Sequence, residues 1–137
     1  MPAYTLVDSD TVTAPSGATL YRIRYADGAR GGYLQSTANL DPGSNARVYG
    51  DAQVYGNARV SAPEHCFTAG PLGSRAATLT VCRDSALGVS YTTGCFSGSR
   101  EAFLTAVEST HSNTPHGNAY TVAVMLADHI VPPYAGE

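Results

Sequence analysis

The sequence predicts an α+β fold in which a short hexapeptide-repeat parallel β-helix, of the left-handed type, precedes a β-hairpin and two helices. The first observation is the stretch NARVYGDAQVYGNARV, which nearly repeats itself every six residues from position 45 to position 60. A period of six suits strands that bend at regular intervals, whereas a helix requires a period of 3.6. The second observation is a downstream change from strand-like alternation to helical spacing. We therefore predict an N-terminal β segment over 1–62, with the repeats at 45–62, and a C-terminal α+β domain over 63–137.

The three hexads, at 45–50, 51–56 and 57–62, share a column of alanines and a column of valines. The columns are Ala46, Ala52 and Ala58, and Val48, Val54 and Val60. Glycine ends the first two hexads, where its freedom permits the bend that a triangular coil needs. We expect the valines to fill the interior of a prism whose coils stack at about 4.8 Å, with Leu34 and Leu40 extending their column upstream.

The repeat is too short to be stable by itself. Three hexads make one coil, and a solenoid of one or two coils leaves its open ends unburied. We therefore predict a homo-oligomer, with a trimer favoured, in which copies of the chain pack along the faces of the prism and create crevices between subunits.

The C-terminal half contains one β-hairpin signal and two helix signals. Residues 77–96, ATLTVCRDSALGVSYTTGCF, alternate apolar and polar side chains on both sides of the turn DSALG, which predicts a hairpin. In GSREAFLTAVESTH, Phe103, Ala106 and Val107 follow helical spacing. The apolar stretch NAYTVAVMLADHIV ends at PPY and predicts the second helix.

Composition narrows the function classes. The net charge is −3, the eight basic residues are all arginines, and they form no basic block, so a surface for duplex nucleic acid is not indicated. No apolar run reaches the length of a membrane span, and no secretory signal is visible at the N-terminus, so we expect a cytoplasmic protein. Three cysteines without a CxxC spacing are expected to be reduced thiols.

Two stretches resemble known phage proteins. LYRIRYADGARGGYLQSTANLDPGSNARVYGDAQVYGNARV, residues 20–60, resembles bacterial and bacteriophage hexapeptide-repeat proteins that carry Leu-Tyr-Arg-Ile, Gly-Gly-Tyr-(Ile/Leu), Asn-Leu and Gly-Asn/Asp-Ala-x-Val-Tyr motifs. The segments GPLGSR and GCFSG are similar to a small Gly-Ser-Arg/Gly-Cys-Phe domain that phage and prophage proteins carry behind such repeats. Members are often labelled transferases. The resemblance implies a hexapeptide-repeat architecture and a phage-type setting in the host cytoplasm, but no particular reaction.

The segment GPLGSR is the first candidate ligand site. Gly73 frees the backbone to turn its amides inward, Ser74 supplies a hydroxyl and Arg75 a planar guanidinium, which together suit a phosphate or carboxylate. His111, in the last turn of the first predicted helix, is a second contact for the same anion. The simpler alternatives are a surface loop for the segment and, for His111, the preference of helix C-termini for cations.

The hexads supply the second candidate site. Tyr49 and Tyr55 follow the column valines and should point away from the prism as an aromatic ridge, with Arg47 and Arg59 beside them. Such a ridge serves either packing between subunits or stacking of a nucleobase.

Two chemically active sites are weaker alternatives. Cys95, ahead of a helix, is a nucleophile only if His111 or His116 acts as its base. A zinc site would need His65, Cys66, Cys82, Cys95 and His111, which lack the usual ligand spacing. Packing explains these residues more simply, so we predict no catalytic residue, no metal and no cofactor.

Together these features favour a non-catalytic, phage-type binding protein with a counter-defence role. It would hold an anionic small molecule, such as a nucleotide immune signal, or a host defence protein. One alternative is a hexapeptide-repeat acyltransferase-like enzyme, although such enzymes use long prisms and a histidine in the cleft between subunits, and only fold analogy supports it. The other is a structural protein of the virion or its assembly.

Overall fold

Two four-stranded sheets, two α-helices and two short 3-10 helices make up the regular structure in the computed structural model, which describes residues 4–72, 77–93, 96–111 and 115–134. The 3-10 helices are Thr37–Asn39 and Pro63–His65. The first sheet has the order β1-β2-β3-β4. Its strands are β1 (Tyr4–Thr13), β2 (Thr19–Tyr25), β3 (Arg30–Leu34) and β4 (Gln53–Val54). The β1–β2 and β2–β3 pairs are antiparallel, and only β3 and β4 pair in parallel.

The second sheet is an antiparallel meander covered by the two helices. Its strands, in spatial and chain order, are β5 (Cys66–Leu72), β6 (Ala77–Asp84), β7 (Gly88–Thr93) and β8 (Phe96–Ser99). The helices are α1 (Arg100–His111) and α2 (Pro115–Ile130). Among the described residues, neither helix has the length and hydropathy needed to cross a bilayer.

The parallel β-helix predicted from the hexads is wrong. The described residues form two largely antiparallel sheets, and the one parallel strand pair is two residues long. The physical reason is that one coil of hexads has only the β3 segment on which to stack. Leu34, at the end of β3, lies opposite Val54, and Leu40, beyond β3, lies opposite Val60. Both leucines therefore extend the valine column as the sequence predicts. Beyond that layer, antiparallel strands supply the remaining contacts, so the α+β content and the two helices remain while the solenoid does not form.

The hexad columns are nonetheless buried. Their alanines and valines, Ala46, Val48, Ala52, Val54, Ala58 and Val60, are each at most 5% exposed. The chain bends after each of the first two hexads at Gly50 and Gly56, which have φ values of +58° and +61°, in the left-handed region that favours glycine. The layer is also tight: a Cβ on Gly32 would lie 2.8 Å from the Ala52 carbonyl oxygen.

The two faces of the second sheet have different chemistry because side chains alternate along a strand. One face packs against α1 and α2 through an apolar cluster that includes Val81, Tyr91 and Phe103. The residues that alternate with these, including Thr80, Cys82 and Thr92, lie toward the hexads. Backbone bonds join the two parts: Arg59 N–H donates to the Arg83 carbonyl at 2.8 Å. The division of the chain at residue 62 stays a prediction.

Candidate ligand-binding groove

Three adjoining cavities follow the first hexad turn, and we call them together the Tyr49 groove. The first, of about 210 Å³, lies between Arg47, Tyr49 and Cys66. The second, of about 250 Å³, shares Tyr49 and Thr68 with it and extends to Asp51. The third, of about 200 Å³, shares Gly50 and Asp51 with the second and is bordered by Arg22 and Arg30.

Tyr49 is the central side chain of the groove. Val48 is directed into the core, so the next residue faces the opposite way, and Gly50 then turns the chain away. As a result Tyr49 is 63% exposed and borders both of the first two cavities. The opposite wall is the edge strand β5, which contributes Thr68 to both cavities. An aromatic ring held beside a strand edge in this way can stack on a planar ligand.

Arg47 provides a fixed positive charge at one end of the groove. Its Nη2 lies 2.8 Å from Oδ2 of Asp27, and its guanidinium carbon lies 4.3 Å from the centre of the Tyr25 ring. The hydrogen bond from Arg47 to Asp27 raises the pKa of Arg47 above its ordinary value, so the guanidinium stays charged. Among the described residues its hydrogen bonds use one of three guanidinium nitrogens, so the others remain available to an anionic ligand.

The other end of the groove carries a second, more exposed cation. The Arg30 side chain is 70% exposed and lies 3.4 Å from Asp10. Arg22, by contrast, is buried and donates to the carbonyls of Gly31 and Gly50, both at 2.9 Å, so its role is structural. The Asp51 carboxylate borders the second and third cavities, lies 3.7 Å from Nη2 of Arg22 and is itself largely exposed. The groove therefore presents, in order, a cation, an aromatic ring, a carboxylate and a second cation.

Tyr55 and Arg59 border none of the three cavities, so the structure does not bring them together with Tyr49 in this groove. The Tyr55 hydroxyl donates to Ser97 at 2.7 Å and accepts from Thr92 at 3.0 Å, joining the hexads to the second sheet. Arg59 donates to the carbonyls of Gly56 and Ala58. Tyr55 also borders a separate cavity of about 160 Å³, which is lined by hydroxyl groups from the inner face of the second sheet.

Several predicted site residues lie outside the described part of the chain. These are Gly73, Ser74 and Arg75 of the anion cradle, and Cys95. The backbone of His111 ends α1 as predicted, but the side chains of His111 and His116 are outside the description as well. The convergence of Arg75 and His111 on one anion therefore stays a prediction.

The contact between Ser61 and His65 resembles a nucleophile–base pair, but it belongs to a local turn. Ser61 Oγ lies 3.3 Å from Nδ1 of His65, but the Ser61 backbone N–H also donates to that nitrogen at 3.1 Å. The imidazole therefore accepts a backbone hydrogen bond ahead of β5, in the manner of a short cap. Within the described ranges, no group of three histidine, cysteine or acidic side chains could hold a metal ion.

Sequence reasoning missed Arg30, Asp51 and Thr68 as groove residues. A signal existed for Asp51, because it occupies the hexad position that is Asn45 and Asn57 in the other two repeats. Nothing local singled out Arg30 or Thr68, which reach the groove through long-range pairing. No family model matches the chain, and neither a curated protein nor a solved structure matches it significantly.

Proposed function

We propose that this protein is a non-catalytic binding protein that holds a small anionic molecule of nucleotide class in the Tyr49 groove. The observation that carries the proposal is the exposed Tyr49 ring, set between two cavities with the half-buried Arg47 at one end and the exposed Arg30 at the other. Each cavity alone is smaller than the roughly 300–1,000 Å³ of typical ligand pockets, but the three adjoin. The ligand we envisage is therefore elongated and lies along the hexad turn.

Each wall of the groove matches one part of a nucleotide. A base stacked on Tyr49 would gain about 1–3 kcal/mol, a value typical of base–aromatic contacts. The Asp51 carboxylate can only accept hydrogen bonds, so it suits an amino or imino group on the edge of the base. Arg47 and Arg30 suit phosphate groups, because a guanidinium can donate two parallel hydrogen bonds to phosphate oxygens.

The resemblance to phage proteins supports a counter-defence role for this binding. A phage-type protein that holds a nucleotide without reacting with it would lower the free concentration of a host immune signal. The proposal therefore predicts a stoichiometric complex, in which one groove holds one ligand and the ligand is recovered unchanged when the protein is denatured.

Calorimetry with mononucleotides, cyclic dinucleotides, cyclic trinucleotides and cyclic ADP-ribose isomers tests the proposal. We expect at least one of these to bind, Tyr49→Ala to weaken binding by roughly 5- to 150-fold, and Tyr49→Phe to retain it. Arg47→Gln should weaken binding at least about tenfold, the loss expected for one charge-assisted bond. Arg24→Gln is the matched control, since Arg24 is exposed on β2 and borders none of the three cavities. Absence of heat with the whole panel, together with no released ligand after denaturation, would refute the proposal.

We also propose that the chain self-associates, now through α2. The trimer predicted from the sequence requires the flat faces of a β-helix, which the described residues do not form. Helix α2 instead carries an apolar face on the side opposite its buried residues. That face consists of Val122, Met125, Leu126 and Ile130, which are 36–63% exposed. Symmetric pairing of two such faces would bury them, as closed homo-oligomers do. Sedimentation should show an oligomer that Met125→Glu converts to a folded monomer, while Glu108→Gln on α1 has no effect; a monomeric wild type would overturn this.

A further inference from the structure

We infer that Cys66 and Cys82 form a dithiol that low-molecular-weight disulfides oxidise to an intramolecular disulfide. The two residues are directly opposite each other on the antiparallel strands β5 and β6. Their sulfur atoms are 3.4 Å apart, with the Cys82 thiol donating to Cys66. Both cysteines are free thiols in the structure. This modification site is independent of whether the Tyr49 groove binds a nucleotide.

The strand geometry accommodates the bond. Directly opposed residues in an antiparallel pair have Cα atoms about 4.5–5.5 Å apart, inside the range of about 4.4–6.8 Å seen in disulfides. The sulfurs already touch, so a modest rotation of the two side chains would bring them to bonding distance. The fold therefore holds the two thiols together before any oxidant arrives, which raises the effective concentration of one toward the other.

Different exposure gives the two thiols different roles. Cys66 is half-buried and borders the first cavity of the Tyr49 groove, so a small disulfide can reach it. Cys82 is 2% exposed. The hydrogen bond to Cys66, together with burial, raises the pKa of the Cys82 thiol. Cys66 is therefore the attacking thiol and Cys82 the resolving thiol.

The reaction is an exchange in two steps with oxidised glutathione as the oxidant. The Cys66 thiolate attacks one sulfur of the glutathione disulfide, forms a mixed disulfide, and releases one glutathione thiolate. Cys82 then loses its proton and attacks the Cys66 sulfur, which releases the second glutathione. In all, the protein gives up two protons and two electrons and gains one S–S bond, while the glutathione disulfide bond breaks and takes them up to become two molecules of reduced glutathione.

The chain itself makes the test unambiguous. Trypsin cleaves after Arg59, Arg75, Arg83 and Arg100, which places Cys66, Cys82 and Cys95 on three separate peptides. The full chain is equilibrated with mixtures of oxidised and reduced glutathione, quenched with acid, digested and analysed by mass spectrometry. We expect one product in which peptides 60–75 and 76–83 are joined. The equilibrium constant for forming this disulfide with glutathione should be at least about tenfold larger for the folded chain than for the urea-unfolded chain, because only the folded chain holds the thiols together.

Three variants sharpen the result. Cys95→Ser should leave the reaction unchanged, Cys82→Ser should stop it at a stable mixed disulfide on Cys66, and Cys66→Ser should prevent it. Circular dichroism of each variant confirms that it is folded. A persistent mixed disulfide in the wild type, a bond to Cys95 or between two chains, or equal constants for the folded and unfolded chains would each overturn the inference.

Discussion

The two sheets of this protein are stabilised in different ways, although they lie next to each other in one small chain. Around the hexads the backbone is mostly irregular, and side chains supply the hydrogen bonds that a strand ladder would otherwise make. Asn39 donates to the carbonyls of Gly56 and Ala58, and Tyr25 exchanges hydrogen bonds with the Val48 backbone. The Tyr4 hydroxyl likewise donates to the Leu40 carbonyl. The second sheet has antiparallel ladders along all three strand pairs, with one register shift in the β5–β6 pair, and needs few such bonds.

The core between the second sheet and the two helices is instead built around aromatic rings. Phe103 stacks on Tyr91 with ring centroids 5.0 Å apart, and it meets Phe96 and Tyr120 edge to face at 5.5 Å. The difference shows that a repeat of small residues can form a buried layer with no helix packed on it, provided that polar side chains form hydrogen bonds with the backbone carbonyls of that layer. Substitutions in the two cores should therefore differ in mechanism as well as in size.

The largest effect is expected for Phe103→Ala. This change removes the ring that contacts all three aromatic neighbours and leaves a cavity, so it should lower the free energy of unfolding by about 3–5 kcal/mol. Urea denaturation followed by circular dichroism measures the change. Leu87→Ala, in the exposed turn between β6 and β7, is the control and should cost far less. Similar losses for the two variants would contradict the aromatic core described here.

Asn39→Ala tests the polar support of the hexad layer. It removes the side-chain amide that donates to the Gly56 and Ala58 carbonyls, which then keep only Arg59 as a side-chain donor among the described residues. Each lost bond should lower the free energy of unfolding by about 0.5–1.5 kcal/mol. Asn45→Ala and Asn57→Ala are matched controls, because both residues are exposed asparagines at the first hexad position. If all three variants unfold at the same urea concentration, the carbonyls do not need Asn39.

Tyr91→Phe should not lower the free energy of unfolding, in contrast to the two preceding variants. The Tyr91 side chain is fully buried, and its hydroxyl has no hydrogen-bond partner among the described residues. Burial also raises the pKa of this hydroxyl to about 12, so it stays neutral and gains no charge-assisted bond. Removing an unpaired buried hydroxyl should leave stability unchanged or raise it by about 1 kcal/mol. A loss as large as that of Asn39→Ala would show that the hydroxyl is paired.

The smallest effect is expected from acid titration of Asp10. Partial burial raises the pKa of Asp10, but the hydrogen bond and charge of Arg22 outweigh this and hold the pKa below its ordinary value. Asp10 therefore contributes stability above the unfolded pKa of about 3.9, and this contribution is lost as pH falls through the lower folded pKa. The urea midpoints of wild type and Asp10→Asn should differ at pH 7 and converge toward pH 2. For Asp8→Asn, at an exposed position on β1, we expect a smaller gap at pH 7; an equal gap would contradict the pairing.

Local patterns predicted the elements better than their arrangement. The turn DSALG does separate β6 from β7, and both helical stretches are helices. The β-helix was wrong because a six-residue period specifies which side chains turn inward but not how many coils stack above them. The same limit applies to the groove: Arg47 and Tyr49 were named from the hexads, whereas Arg30 and Thr68 come from strands distant in sequence.

The sequence by itself determined which side chains are buried in the hexads and where the chain bends, because those properties depend on neighbours within six residues. Only the tertiary structure decided that Tyr49 is exposed in a groove while Tyr55 joins the two sheets. It also decided that Cys66 and Cys82 touch. The physical reason is that strand pairing is long-range, so two residues with similar local surroundings can meet entirely different partners.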